Sequence, residues 1–189
     1  MGRWIAKQID SANWLRLAVW VGLLFAFSFW AFGMDSPWTR AVEAAQGSLP
    51  ETQPGIPAIE PQRSLDLLGA STFDYLLWQA LDIPYAIMNL MVASIGIALG
   101  LKALRLGASP LRFLLVMPII YVACELTENA LLAGFASGAL PTAEPLVLVQ
   151  QFATTVKFTA GLPGLLLGVV GAVIAAVALG VRQLRKGRA

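Results

Sequence analysis

Four long apolar stretches, approximately 14–33, 75–101, 113–135 and 152–181, constrain this chain more than any other feature. Crossing about 30 Å of hydrocarbon takes roughly 20 helical residues, and each stretch is long enough. A segment inside a bilayer must satisfy its own backbone N–H and C=O groups, so helices are expected, and no alternating pattern suggests a barrel. Only 13% of the residues are charged and 58% are hydrophobic, a balance far from that of a soluble domain. The expected fold class is an all-α membrane protein, an antiparallel four-helix transmembrane bundle forming one domain over 1–189. Short connections at 102–112 and 136–145 favour up-and-down topology. The 34–74 segment is the single longer extracytoplasmic loop.

Lysine and arginine placement orients the bundle. Ten of the 13 flank one side: Arg3, Lys7, Arg16, Lys102, Arg105, Arg112, Arg182, Arg185, Lys186 and Arg188. Arg40 and Arg63 fall on the other side, and Lys157 lies inside the fourth stretch. The positive-inside rule then predicts a multi-pass membrane protein with both termini cytoplasmic. A cleaved signal reading of the first stretch, with Ala31-Phe32-Gly33 as the site, is the weaker alternative. Its apolar run exceeds the roughly 7 to 15 residues of a signal core.

The residue inventory excludes several chemistries. No histidine is present, so imidazole metal sites, histidine-ligated haem and Ser-His or Cys-His nucleophile systems are absent. The single cysteine, Cys124, supplies neither a disulfide nor a zinc cage, and in its apolar setting it reads as an inert buried thiol. No metal-ligand spacing, phosphate loop or lipidation signal occurs, so neither a metal nor a cofactor is expected. The basic residues lie outside the apolar stretches, as topology requires, and do not point to nucleic acid.

Polar residues inside the spans are the informative ones, because each costs several kcal/mol if it faces lipid unpaired. Helical spacing gathers them onto faces. In the second stretch Asp82, Ala86, Asn89, Ala93, Gly96 and Gly100 recur every three or four residues. Tyr121, Glu125, Glu128, Asn129 and Leu132 share one side of the third. In the fourth, Thr154, Lys157, Gly161, Gly164, Gly168, Gly171 and Ala175 form a seam whose glycines suit close helix approach, inside the bundle or against a protein partner or second copy. The first stretch offers Ala18, Gly22 and Ala26 as a packing stripe.

At about 1.5 Å per residue from the basic ends, Glu125 lies roughly 20 Å up, Glu128 and Asn129 about 25 Å, Asp82 about 30 Å and Lys157 about 37 Å. A kink at Pro163 and the flexible lysine stem bring Lys157 down to the others. The expected site is a buried cluster of Glu128 and Lys157, with Asp82, Glu125 and Asn129 nearby and Asn89, Tyr121 and Thr154 on the same faces. Three acids against one base cannot all be ionised cheaply, so at least one carboxyl is expected to hold a proton.

In the outer segment, Pro50, Pro54, Pro57 and Pro61 predict an irregular middle. A short helix is expected over 39–46, and Leu65, Leu67, Leu68 and Phe73 are expected at the membrane surface. The segment is either a tether or a lid over an outward-facing cavity.

Glu125-Leu126-Thr127-Glu128-Asn129-Ala130-Leu131-Leu132 is an acid-x-x-Glu-Asn-x-x-Leu pattern, and Thr154-Thr155-Val156-Lys157 is Thr-x-x-Lys. With Asp82, Pro84 and Tyr85, these motifs resemble a family of uncharacterised bacterial four-span integral membrane proteins over about residues 73–170. The resemblance implies that the acids of helix three and the lysine of helix four belong to one design, and it implies no activity.

Three functions fit these residues. The first is a non-enzymatic membrane component, either an accessory subunit of a larger complex or a small-ligand-binding protein. The second is a proton-coupled transporter or channel-like protein. The third is an intramembrane enzyme on a lipid-like substrate, with a carboxyl as general acid or base and Lys157 stabilising charge. Apart from its ligand, the lipid bilayer is the expected surrounding.

Overall fold

The computed structural model describes residues 2–52 and 60–186, so Pro54, Pro57 and Arg188 lie outside the described residues. Among the described residues the chain is helical throughout, with no strand, and four helices are long and apolar enough to cross a membrane. The elements are α1 (Gly2–Ser11), α2 (Trp14–Ala31), α3 (Pro37–Ala44), α4 (Glu60–Leu68), α5 (Thr72–Ala103), α6 (Met117–Ala136), α7 (Glu144–Val156) and α8 (Leu162–Lys186). A π turn, Lys157–Gly161, joins α7 to α8.

Local chemistry sets the helix starts. Asn13 caps α2 by accepting from the Arg16 amide at 2.9 Å. Ser36 caps α3 by accepting from the Thr39 amide at 3.1 Å, with Pro37 in the first turn where a missing N–H is harmless. The left-handed Gly47 (φ +78°) closes α3, its amide donating to the Val42 carbonyl at 2.8 Å. Lys102 does more than mark topology, since its ammonium donates to the Asp10 and Ala12 carbonyls at 3.3 and 3.0 Å, where α1 ends.

Helices α5 and α8 meet by backbone approach. A Cβ at Gly96 would stand 2.1 Å from the Gly168 carbonyl oxygen, and one at Gly171 would stand 2.4 Å from that of Gly96. Gly161 and Gly164 instead receive the Tyr121 and Met117 side chains of α6. Gly164, Gly168 and Gly171 therefore face neighbouring helices of their own chain.

Three expectations are corrected. Ala18, Gly22 and Ala26 are exposed, and nothing approaches a Cβ at Gly22. Helix α2 instead packs through Leu17, Trp20 and Val21, whose larger apolar area outweighs close approach. Leu65 and Leu68 are buried against Ala41, Ala45, Leu49 and Tyr75, while Leu67 and Phe73 are exposed. The fourth helix starts at Glu144, before the apolar run, because Glu144 and Pro145 are favourable in a first turn. The disturbance expected at Pro163 takes the form of the π turn just ahead of it, which accommodates a residue lacking the N–H for a normal ladder.

Two large apolar cores result, with a smaller cluster of Ala86, Tyr121 and Val122 joining α5 to α6. One unites Ile5, Ile9, Leu17, Ile95, Leu99, Leu115 and Ala175 near the chain termini. The other unites α3, α4 and the loop-side ends of α5, α6 and α7. The polar seams lie between them.

Candidate functional site

The polar seams of α5, α6 and α7 converge because each repeats at helical spacing and leaves its larger apolar residues for lipid. Lys157, the first residue of the π turn, pairs with Glu128 and with Glu125, the latter at 3.2 Å. Its ammonium also stands 5.4 Å from the Phe158 ring centroid. Glu128 is fully buried and is surrounded by donors: Lys157, the Thr154 hydroxyl, and Gln150 Nε2 at 3.3 Å. The Gln150 amide donates to Thr154 Oγ1 as well, at 2.9 Å. On the facing side Asn129 Nδ2 donates to Asp82 Oδ2 at 2.8 Å, tying α6 to α5.

Of the residues expected from sequence, Asp82, Glu125, Glu128, Asn129, Thr154 and Lys157 come together. Tyr121 is buried on the same side of α6, its ring against Gly161. Asn89 stands apart, half-buried and donating to the Tyr85 carbonyl of its own helix at 3.0 Å. Cys124 is half-buried and free. Among the described residues no group of three acidic or thiol side chains is arranged to hold a metal ion.

A cavity of about 420 Å³ opens on this cluster. Asp82, Glu125, Glu128, Asn129 and Lys157 form its polar wall, and Phe32, Trp38, Trp78 and Tyr85 an aromatic one. The rings touch one another: Trp38 and Trp78 are 4.9 Å apart, Phe32 and Trp78 5.2 Å, and Phe32 and Tyr85 5.5 Å. A second cavity of about 250 Å³ lies behind, bordered by Asn89, Tyr121, Leu162 and Leu165. Tyr85, Glu125, Lys157 and Phe158 face both cavities.

Sequence reasoning missed Glu51, a loop acid that lines the larger cavity while only 8% exposed. Tyr75 Oη donates to its Oε2 at 2.9 Å and Gln79 Nε2 to its Oε1 at 3.2 Å. Tyr75 and Gln79 continue the Asp82 seam outward at spacings of four and three, and Gln150 does the same above Thr154, so the periodicity could have named all three. Glu51 carried only a faint signal, an acid directly after Leu49 and Pro50, both buried.

Burial pushes the Glu51 carboxyl up to about 7, with the nearby Glu128 charge acting in the same direction, against its hydrogen bonds and Lys157. Folding therefore binds more protons at this residue than the unfolded chain does between about pH 4 and pH 7. Its contribution to stability is complete below about pH 4 and is lost as pH rises through about 7, a loss of about 3 kcal/mol once ionisation is complete. Melting followed from pH 5 to pH 8 is expected to fall in the native protein and to fall less steeply in Glu51→Gln. An equally steep fall in the variant would assign the effect to another group.

No family, curated protein or solved structure matches the chain in these comparisons, so its function is read from the site itself.

Proposed function

We propose that the chain is a non-enzymatic integral membrane protein that binds a small polar ligand in the larger cavity. One observation carries this reading: the buried cluster opens onto a cavity with a polar wall and an aromatic wall, where a purely adhesive cluster would be sealed between helices. About 420 Å³ is within the usual range for a small-molecule site. Contacts that run in opposite chain order support alternating helix directions and an antiparallel bundle: Phe32 with Trp78 then Phe27 with Tyr85, Asp82 with Asn129 then Ala86 with Tyr121, and Glu125 with Lys157 then Tyr121 with Gly161 and Met117 with Gly164. In this reading the site opens extracytoplasmically, below the 34–74 loop, in a bacterial inner membrane, and the termini are cytoplasmic, as the basic residues indicate. An accessory role beside another membrane protein, or in a homo-oligomer, is compatible with the same site.

Native mass spectrometry of protein released gently from its membrane tests the reading. A non-lipid adduct of one small molecule is expected on the wild type and expected to be lost in Glu125→Gln that still elutes as folded protein. A wild type carrying phospholipid alone would contradict it.

The second reading, proton-coupled transport, is favoured by Glu125 and Lys157 bordering both cavities, since ionisable groups shared between two cavities inside spans suit a proton relay. Proteoliposome flux indifferent to Glu128→Gln would remove it.

A further inference from the structure

The larger cavity has an asymmetric polar wall. Lys157 is engaged by Glu125 and Glu128, so its charge is met on α6. Asp82, only 8% exposed, receives one hydrogen bond, from Asn129 to Oδ2, and no lysine or arginine of the described chain pairs with it. Its Oδ1, and the amide oxygen of Asn129, have no donor among the described residues and belong to side chains lining the cavity. A buried carboxylate with a free lone-pair face, beside a second free acceptor, is complementary to a positively charged group bearing N–H donors. An anion or a second acceptor would face repulsion there.

The same cavity is lined by Phe32, Trp38, Trp78 and Tyr85, in contact with one another, and Trp78 and Tyr85 flank Asp82 on its own face of α5. Aromatic faces attract cations and cover apolar bodies, and indole does both best. We infer that the cavity takes an organic monocation with N–H donors, a primary or secondary ammonium on an apolar body, whose head sits on Asp82 and Asn129 and whose body lies against the four rings. A single charge is assigned because, among the described acids lining the cavity, Glu125 and Glu128 share Lys157 and Glu51 accepts from Tyr75 and Gln79, which leaves Asp82 with one amide donor and no cation. This deepens the ligand-binding reading and rests on it.

Isothermal titration of the full chain in detergent tests the assignment with four probes of one shape: phenethylammonium, its trimethylated quaternary analogue, 2-phenylethanol and phenylacetate. Phenethylammonium is expected to bind one per chain, at least about tenfold more tightly than the alcohol or the quaternary ion, with phenylacetate excluded. Asp82→Asn is expected to weaken it about tenfold or more. Phe32→Leu, at a half-exposed residue without hydrogen bonds from its side chain, is expected to weaken it several-fold, and serves if Asp82→Asn fails to fold. Equal binding of the alcohol, the anion or the quaternary ion would overturn the assignment. Sensitivity of those probes to Phe32→Leu would nonetheless leave a ligand site standing. No binding by any probe would overturn the cation assignment too, while the adduct measurement decides the broader reading separately.

Discussion

Lys157→Met is expected to lower stability by about 3–5 kcal/mol, the loss that follows when one partner of a buried pair is removed and the other stays behind unpaired. Glu128 has no exposed surface and Glu125 only 5%, so neither can recover its charge from water. Proteins of this size shift by roughly 2–4 °C per kcal/mol, so survival on size exclusion after heating should drop by about 10 °C. Adding Glu128→Gln to Lys157→Met should restore much of the loss, because it removes one of the two buried carboxylates that the missing lysine leaves unpaired. Additive losses would show that lysine and glutamate act independently. A ligand site and an adhesive cluster both require this coupling, and only the ligand site also requires the adduct and binding results.

The second large effect is expected at the glycine contact. A Cβ on Gly96 would stand 2.1 Å from a backbone oxygen, and one on Gly168 would stand 2.5 Å from the Ala93 Cα. Backbone atoms cannot turn aside as a flexible side chain can, so either Gly96→Ala or Gly168→Ala must push α5 and α8 apart. Each is expected to cost about 2–3 kcal/mol, at the upper end for overpacking. Gly22→Ala, with nothing near its Cβ, is the control and is expected to be neutral or to stabilise by up to about 1 kcal/mol through helix propensity. Equal thermal effects at positions 22 and 96 would contradict the close packing of α5 against α8.

The helical seams were legible in the sequence because a buried polar or small residue must recur every three or four positions to stay on one face. Asp82 with Asn129, and Glu125 and Glu128 with Lys157, followed from that spacing and from the cost of an unpaired charge in hydrocarbon. The stripe Ala18, Gly22 and Ala26 shows the limit of the same argument. Periodicity identifies a face, but it does not say whether a neighbouring helix or lipid meets it. Glu51 and the aromatic wall were not legible for a different reason. Phe32, Trp38 and Trp78 sit where aromatic residues commonly mark a membrane surface, and only the fold of the 34–74 segment turns them and Glu51 inward. Leu65 and Leu68 likewise read as surface anchors until α3 and Leu49 cover them. Such contacts join residues far apart in sequence and leave no period behind.

The most direct test of a lysine held by acids away from lipid is a solid-state NMR measurement in bilayers, with the lysine Nζ labelled with nitrogen-15 and the glutamate Cδ with carbon-13. The expected result is a strong short-range coupling that disappears in Lys157→Met, matching an ammonium within 3.2 Å of the Glu125 carboxylate. A Lys157 nitrogen coupled only to acyl-chain protons, with no glutamate carbon near it, would contradict it.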